Sequence, residues 1–138
     1  MKLLDLFQKI SAQPDLQREV DGEFWMAIEA SRTRRWRKGD AVLEAGRRMM
    51  VGLASYSRQD VELAQEIIDF QPREDSGVSV IELFNVLDVH EMRDFEQYIP
   101  GIGAVYQTPV VGLWEDGVLV RTAQGLSGQR LVHDLIRR

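Results

Sequence analysis

Residues 49–85 read MMVGLASYSRQDVELAQEIIDFQPREDSGVSVIELFN, and this stretch decides the fold. Its first part, residues 49–55, is a short apolar run typical of a fully buried strand. Apolar residues then recur at helical spacing over 61–70, and the polar turn 72–77 precedes a second apolar run at 78–85. A strand, a helix and a strand of these lengths predict a βαβ unit with parallel strands and a right-handed crossover.

A second helix and a hairpin are predicted after this unit. Residues 89–98 have a helical pattern, and Asp88 and Glu91 are spaced as a capping box. The apolar runs 110–114 and 118–122 flank an Asp-Gly pair, which is a strong short-range signal for a β-hairpin.

The last helix completes the pattern. Ser127 is predicted to cap it, and its apolar residues run along one face to Ile136. The element order over residues 49–137 is therefore β-α-β-α-β-β-α. This order predicts an α/β fold, a three-layer α/β/α sandwich around a mixed sheet.

The N-terminal part is predicted to be mostly helical. We expect residues 1–39 to form a helical extension that packs on the domain of residues 40–138. Residues 23–30 are rich in helix formers, although their apolar residues also alternate as a strand would, so both assignments stay open. A short helix is predicted over 41–45, with Gly46 as its C-terminal stop.

Composition limits the classes of function. The chain has 138 residues, the length of one domain, and its 17 Lys and Arg against 22 Asp and Glu give a net charge of −5. No apolar stretch approaches the roughly 20 residues that span a bilayer, and the first residues lack a signal-peptide pattern. We therefore expect a cytoplasmic protein that does not enter membranes. The absence of cysteine excludes disulfides and thiolate chemistry, and the two separate histidines predict no metal site.

The element order and three short motifs resemble the thioredoxin fold over about residues 40–137. Thr108-Pro109 falls where thioredoxins have their cis-proline, and Asp116-Gly117 falls at their hairpin turn. Gly125 matches the glycine before their last helix.

The active-site segment departs from this family. Tyr56 takes its aromatic position, and Ser57 and Asp60 take the two cysteine positions. Since a hydroxyl and a carboxylate cannot exchange disulfides, the redox activity is not expected here. We predict no catalytic residue, no cofactor and no thiol–disulfide oxidoreductase activity.

The resemblance implies a peptide-binding site. In the family, the residue before the cis-proline offers backbone hydrogen bonds to an extended peptide, and Thr108 holds that position. The predicted function is a redox-inactive module that binds a protein or peptide, as a chaperone, an assembly factor or a complex subunit. The candidate binding residues are Tyr56, Ser57, Arg58, Asp60, Thr108 and Pro109.

Two alternative interpretations also fit these residues. In glutathione transferases, which share this fold, a Ser or Tyr at the same helix start stabilises a thiolate, so Ser57 and Tyr56 also fit an enzyme that binds glutathione or another thiol cofactor. A structural interpretation needs no ligand: Ser57 and Asp60 are spaced as a capping box for the following helix.

A basic segment allows a further alternative, binding of nucleic acid or an acidic partner. Against this, the arginines are expected to pair with acidic residues of the same chain, so nucleic-acid binding is not the favoured prediction. The N-terminal helix is a candidate for contact with a second copy. The basic residues are Arg32, Arg34, Arg35, Arg37, Lys38, Arg47 and Arg48.

Overall fold

A computed structural model describes residues 3–31, 33–42, 44–70, 80–89, 92–102 and 106–136, and the structural statements below concern these residues. The helices are α1 (Leu3–Ala12), α2 (Gln17–Ala30), α3 (Arg58–Asp69), α4 (Met92–Tyr98) and α5 (Leu126–Ile136). The strands are β1 (Arg34–Arg35), β2 (Arg47–Leu53), β3 (Val80–Asn85), β4 (Val110–Glu115) and β5 (Val118–Gln124).

The strands form one mixed sheet in the order β1-β3-β2-β4-β5. Strands β1, β3 and β2 are parallel, whereas β4 is antiparallel to β2 and β5 is antiparallel to β4. The predicted α/β class, parallel pair and hairpin are confirmed. As a result, the ends of β2, β3 and β5 and the start of β4 lie at the same edge of the sheet.

Helices cover both faces of the sheet. One face carries alternate residues of the strands, such as Val51 and Leu83, and packs against α2, α3 and α5, whose apolar cluster α1 also joins. The other face carries Met50 and Phe84 and packs against α4 and Trp36. This arrangement follows from the period of two in a strand, which sends neighbouring side chains to opposite faces.

Residues 23–30 belong to helix α2. Phe24, Trp25 and Ile28 are buried, whereas Met26 is 69% exposed. A strand would have placed Phe24, Met26 and Ile28 on one face, so the exposure of Met26 decides between the two patterns.

The region before residue 40 contributes to the same core. Strand β1 is an outer strand of the sheet and pairs with β3. The buried Leu3 and Leu6 of α1 belong to the apolar cluster that α3 also lines. The division of the chain at residue 39 stays a prediction, and so does contact of α1 with a second copy.

The predicted helix over 41–45 is wrong, because the described residues of this segment are irregular. Five residues are too few to offset the cost of helix nucleation without a cap. Asp40, the residue before this segment, accepts a hydrogen bond from the backbone N–H of Arg37 at 2.8 Å and does not cap a helix. The carbonyl of Ala41 accepts from the Arg34 side chain at 3.0 Å.

The predicted cap of the last helix is also corrected. Helix α5 begins at Leu126, so Ser127 lies within its first turn, and the carbonyl of Gly125 accepts from the N–H of Gln129 at 3.0 Å. Three predicted features fall wholly or partly outside the described residues: the turn 72–77, the first two residues of the strand predicted over 78–85, and the Glu91 half of the capping box.

Glycine at position 128 is required by close packing. A Cβ atom there would lie 2.7 Å from the carbonyl oxygen of Pro109, a backbone atom that cannot rotate away. We expect Gly128→Ala to lower the free energy of unfolding by about 1–3 kcal/mol, measured by urea denaturation. Gly22→Ala in α2 is the control, since it meets nothing within 4 Å and should raise stability by about 0.5–1 kcal/mol. Equal effects of the two substitutions would contradict the packing argument.

Candidate functional site

Four of the predicted binding residues lie together at the edge where β2 ends and β4 begins. Tyr56 and Ser57 follow β2, and Thr108 and Pro109 precede β4. Val110 pairs with Gly52 across the two strands, which holds the two connections side by side. We call Tyr56, Ser57, Thr108 and Pro109 the docking corner.

The Thr108–Pro109 peptide bond is cis. The carbonyls of Gln107 and Pro109 both accept from the N–H of Gly125, at 3.1 and 3.0 Å. This ties the segment before β4 to the end of β5. The strand order, the strand directions and this cis-proline before β4 match the expected topology.

The chain has a thioredoxin-like fold. No known protein-family model matches it, and no curated protein sequence matches it. Among solved structures it is similar to a point mutant of thioredoxin from Halobacterium salinarum NRC-1, at 14% sequence identity and a TM-score of 0.49. That similarity covers 76% of this chain and 88% of the other. The four residues lie together in this fold, and their role in binding stays a prediction.

Asp60 lies beneath the docking corner and is fully buried. Its Oδ2 accepts from the N–H of Ala54 at 2.8 Å, and the Ser57 and Thr108 hydroxyls lie close enough to lower its pKa. Oδ1 has no well-aligned hydrogen bond to the described residues. Burial outweighs these interactions and raises the pKa of Asp60 to about 6.

The predicted capping box at the start of α3 is wrong. Ser57 is the N-cap residue, but its side chain accepts no hydrogen bond from the helix amides. The carboxylate of Asp60 reaches past Ser57 to Ala54, and the Ser57 hydroxyl interacts with that carboxylate instead. Arg58 points to the exposed surface and forms an ion pair with Glu62 at 3.1 Å.

The backbone of Thr108 lies open at the docking corner. Neither its N–H nor its carbonyl makes a backbone hydrogen bond to the described part of the chain. Tyr56 beside it is 46% exposed. Partial burial raises the pKa of the Tyr56 hydroxyl, and Tyr106, Asp60 and Asp21 add to that rise through their charges.

Asp21 of α2 is a site residue that the sequence did not indicate. Its carboxylate accepts from the Ser55 hydroxyl at 2.6 Å and from the Asn85 side-chain amide at 3.1 Å. Ser55 lies two residues after β2, and Asn85 is the last residue of the neighbouring parallel strand β3, so Asp21 links α2 to the sheet edge beside the docking corner. No local sequence pattern marks Asp21 as a site residue, because its partners are far away in the sequence.

The basic residues are distributed over the structure and paired. Arg35 contacts Asp88 at 3.0 Å and Glu29 at 3.2 Å, and Arg37 also pairs with Glu29. The hydrogen bond from Arg37 is the main cause that lowers the pKa of Glu29. Arg47 pairs with Glu115 across β2 and β4 at 2.7 Å. The predicted pairing within the chain is thus observed for these arginines, Lys38 also has an interaction, and Arg32 lies outside the described residues.

Arg48 and Glu82 form a buried ion pair at the opposite end of the strands. Both side chains are almost completely inaccessible, and Arg34 approaches the second oxygen of Glu82 at 3.3 Å. The Arg48 guanidinium lies 4.8 Å from the Trp114 ring centre and 5.8 Å from that of Trp36. This arginine therefore belongs to the packing of the sheet and is not available to a ligand.

The described residues contain no group of three or more side chains placed to hold a metal ion. None of the described helices has the length and apolar character needed to cross a bilayer.

Proposed function

We propose that this chain is a redox-inactive, thioredoxin-like module that binds an extended segment of a partner protein at the docking corner. The observation that carries the proposal is Thr108, whose backbone N–H and carbonyl have no partner among the described residues. An extended peptide adds to such groups by strand-like hydrogen bonding, and the exposed Tyr56 supplies an adjacent apolar contact. The chain has no cysteine, so the bound segment is held without disulfide exchange.

The surroundings of Ser57 disfavour the glutathione alternative. A bound thiolate would lie near the carboxylates of Asp60 and Asp21, and like charges repel at short range in a partly buried site. Arg58, the cation next to Ser57, is already paired with Glu62. These contacts favour a neutral or cationic group at the docking corner over an anionic one.

A titration with a short capped peptide that alternates valine and serine tests the proposal, because such a peptide is extended and uncharged. We expect its addition to shift the amide NMR signals of residues around Tyr56 and Thr108. Tyr56→Ala should weaken binding about tenfold, as expected for loss of an aromatic contact at an interface.

Met26→Ala is the matched control, since Met26 is also exposed but lies on α2, outside the docking corner. It should leave the affinity unchanged. Shifts that avoid Tyr56 and Thr108, or an affinity that Tyr56→Ala does not alter, would contradict the proposed function.

A further inference from the structure

Exposed apolar side chains lie in the docking corner and at the strand ends on either side of it. Tyr56 follows β2, Leu87 follows β3 and Leu126 follows β5, and these three strand ends lie at the same edge of the sheet. The three side chains, which we call the apolar rim, are 46%, 44% and 61% exposed. An extended segment lying across this edge therefore meets apolar contacts on both sides of Thr108.

A cleft of about 370 Å³ opens beside this apolar rim. It is lined by Asp15, Gln17, Arg18, Asp21 and Leu87. Asp21 belongs both to the cleft and to the site, since it holds Ser55, the residue before Tyr56. The cleft and the docking corner are thus neighbouring parts of one surface.

The charges around this surface are mainly negative. Asp15 and Asp21 line the cleft, and Asp60 lies buried beneath the docking corner with one carboxylate oxygen lacking a well-aligned partner. Arg18 is the cation on the cleft wall. The nearby Arg58 and Arg35 are already neutralised, by Glu62 and by Asp88 with Glu29.

We infer that the segment bound at the docking corner carries a lysine or arginine beside apolar residues, and that this cation enters the cleft between Asp15 and Asp21. The inference rests on the proposed function and specifies the chemistry of the partner. The apolar rim contributes buried apolar area to the contact with the bound segment. The unpaired backbone groups of Thr108 hold that segment in an extended conformation, and the carboxylates of the cleft favour its positive charge.

Three capped peptides of equal length test this inference: valine alternating with arginine, with serine or with glutamate. We expect the arginine peptide to bind at least about tenfold more tightly than the glutamate peptide, with the serine peptide between them. The advantage of the arginine peptide should shrink as sodium chloride is added, because salt screens exposed charges.

Charge reversal on the protein provides the second test. Asp15→Arg should weaken binding of the arginine peptide about fivefold and leave the serine peptide nearly unchanged. Asp5→Arg is the control and should have no effect. Asp5 is exposed in the first turn of α1, at the end of that helix that contacts Gln65 of α3.

The outcomes separate the two proposals. Equal affinities for all three peptides, with shifts at Tyr56 and Thr108, would overturn the inferred charge preference and leave peptide binding intact. No shift at these residues with any peptide would overturn both.

Discussion

Glu82→Leu should lower the free energy of unfolding by about 3–5 kcal/mol, because it leaves the Arg48 charge buried without its partner. Arg48 is 3% exposed and lies close to two tryptophan rings, so it cannot turn to solvent without opening the sheet face. Urea denaturation with the linear extrapolation measures the effect.

The double variant Arg48→Met with Glu82→Leu separates the charge from the packing. It should restore most of the lost stability, since apolar residues of similar volume often replace a buried ion pair without loss. Arg34, half exposed beside Glu82, can turn to solvent in that variant. Glu115→Leu is the surface control and should change stability by less than about 1 kcal/mol, because its pair with Arg47 is largely exposed. A double variant as unstable as Glu82→Leu alone would contradict this account.

Asp60 should make the protein less stable as pH rises from about 4 to about 6. Burial raises the pKa of Asp60 from 3.8 to about 6, so the folded chain retains a proton that the unfolded chain has released in this range. The free energy of unfolding therefore falls as pH rises through this window. Above the window, Asp60 has lowered it by about 3 kcal/mol relative to pH below 4.

Asp60→Asn should remove this pH dependence and raise the free energy of unfolding at about pH 8 by about 1–3 kcal/mol. The asparagine oxygen can still accept from the N–H of Ala54. Urea denaturation at several pH values measures the free energy of unfolding of the variant and of the unchanged protein. The contributions of other titratable groups cancel in the difference between the two. Asp69→Asn, at an exposed position of the same helix, should leave the pH slope unchanged. An unchanged slope in Asp60→Asn would show that another group is responsible.

The sheet could be predicted because its signals are local. Each central strand contains a cluster of consecutive or nearly consecutive apolar residues, and Asp116-Gly117 marks the hairpin by itself. Strand β1 was not predicted, since Arg34-Arg35 has no apolar pattern and becomes a strand only because the edge of β3 accepts it. The N–H of Trp36 extends this pairing to the carbonyl of Leu83 at 2.8 Å.

The candidate site was predictable to the same extent. The docking corner follows from the order of the strands, which brings the ends of β2 and β4 together. The contacts of Asp21 with Asn85 and of Arg48 with Glu82 join residues 64 and 34 positions apart. The first pair depends on how helix α2 packs on the sheet and the second on the pairing of β2 with β3, and no local spacing encodes either. The capping interpretation is wrong for a different reason: the Asp60 carboxylate accepts from the N–H of Ala54, and the Thr108 hydroxyl, distant in the sequence, also interacts with it.

The position of β2 has a consequence for synthesis on the ribosome. This strand lies in the middle of the sheet, yet both of its neighbours, β3 and β4, emerge after it. The apolar residues of β2 therefore stay exposed, and both edges of its backbone lack a paired strand, while β3 and β4 are translated. Newly made chains are most prone to stick to one another during this interval, which makes it the stage at which a general folding chaperone is of most use.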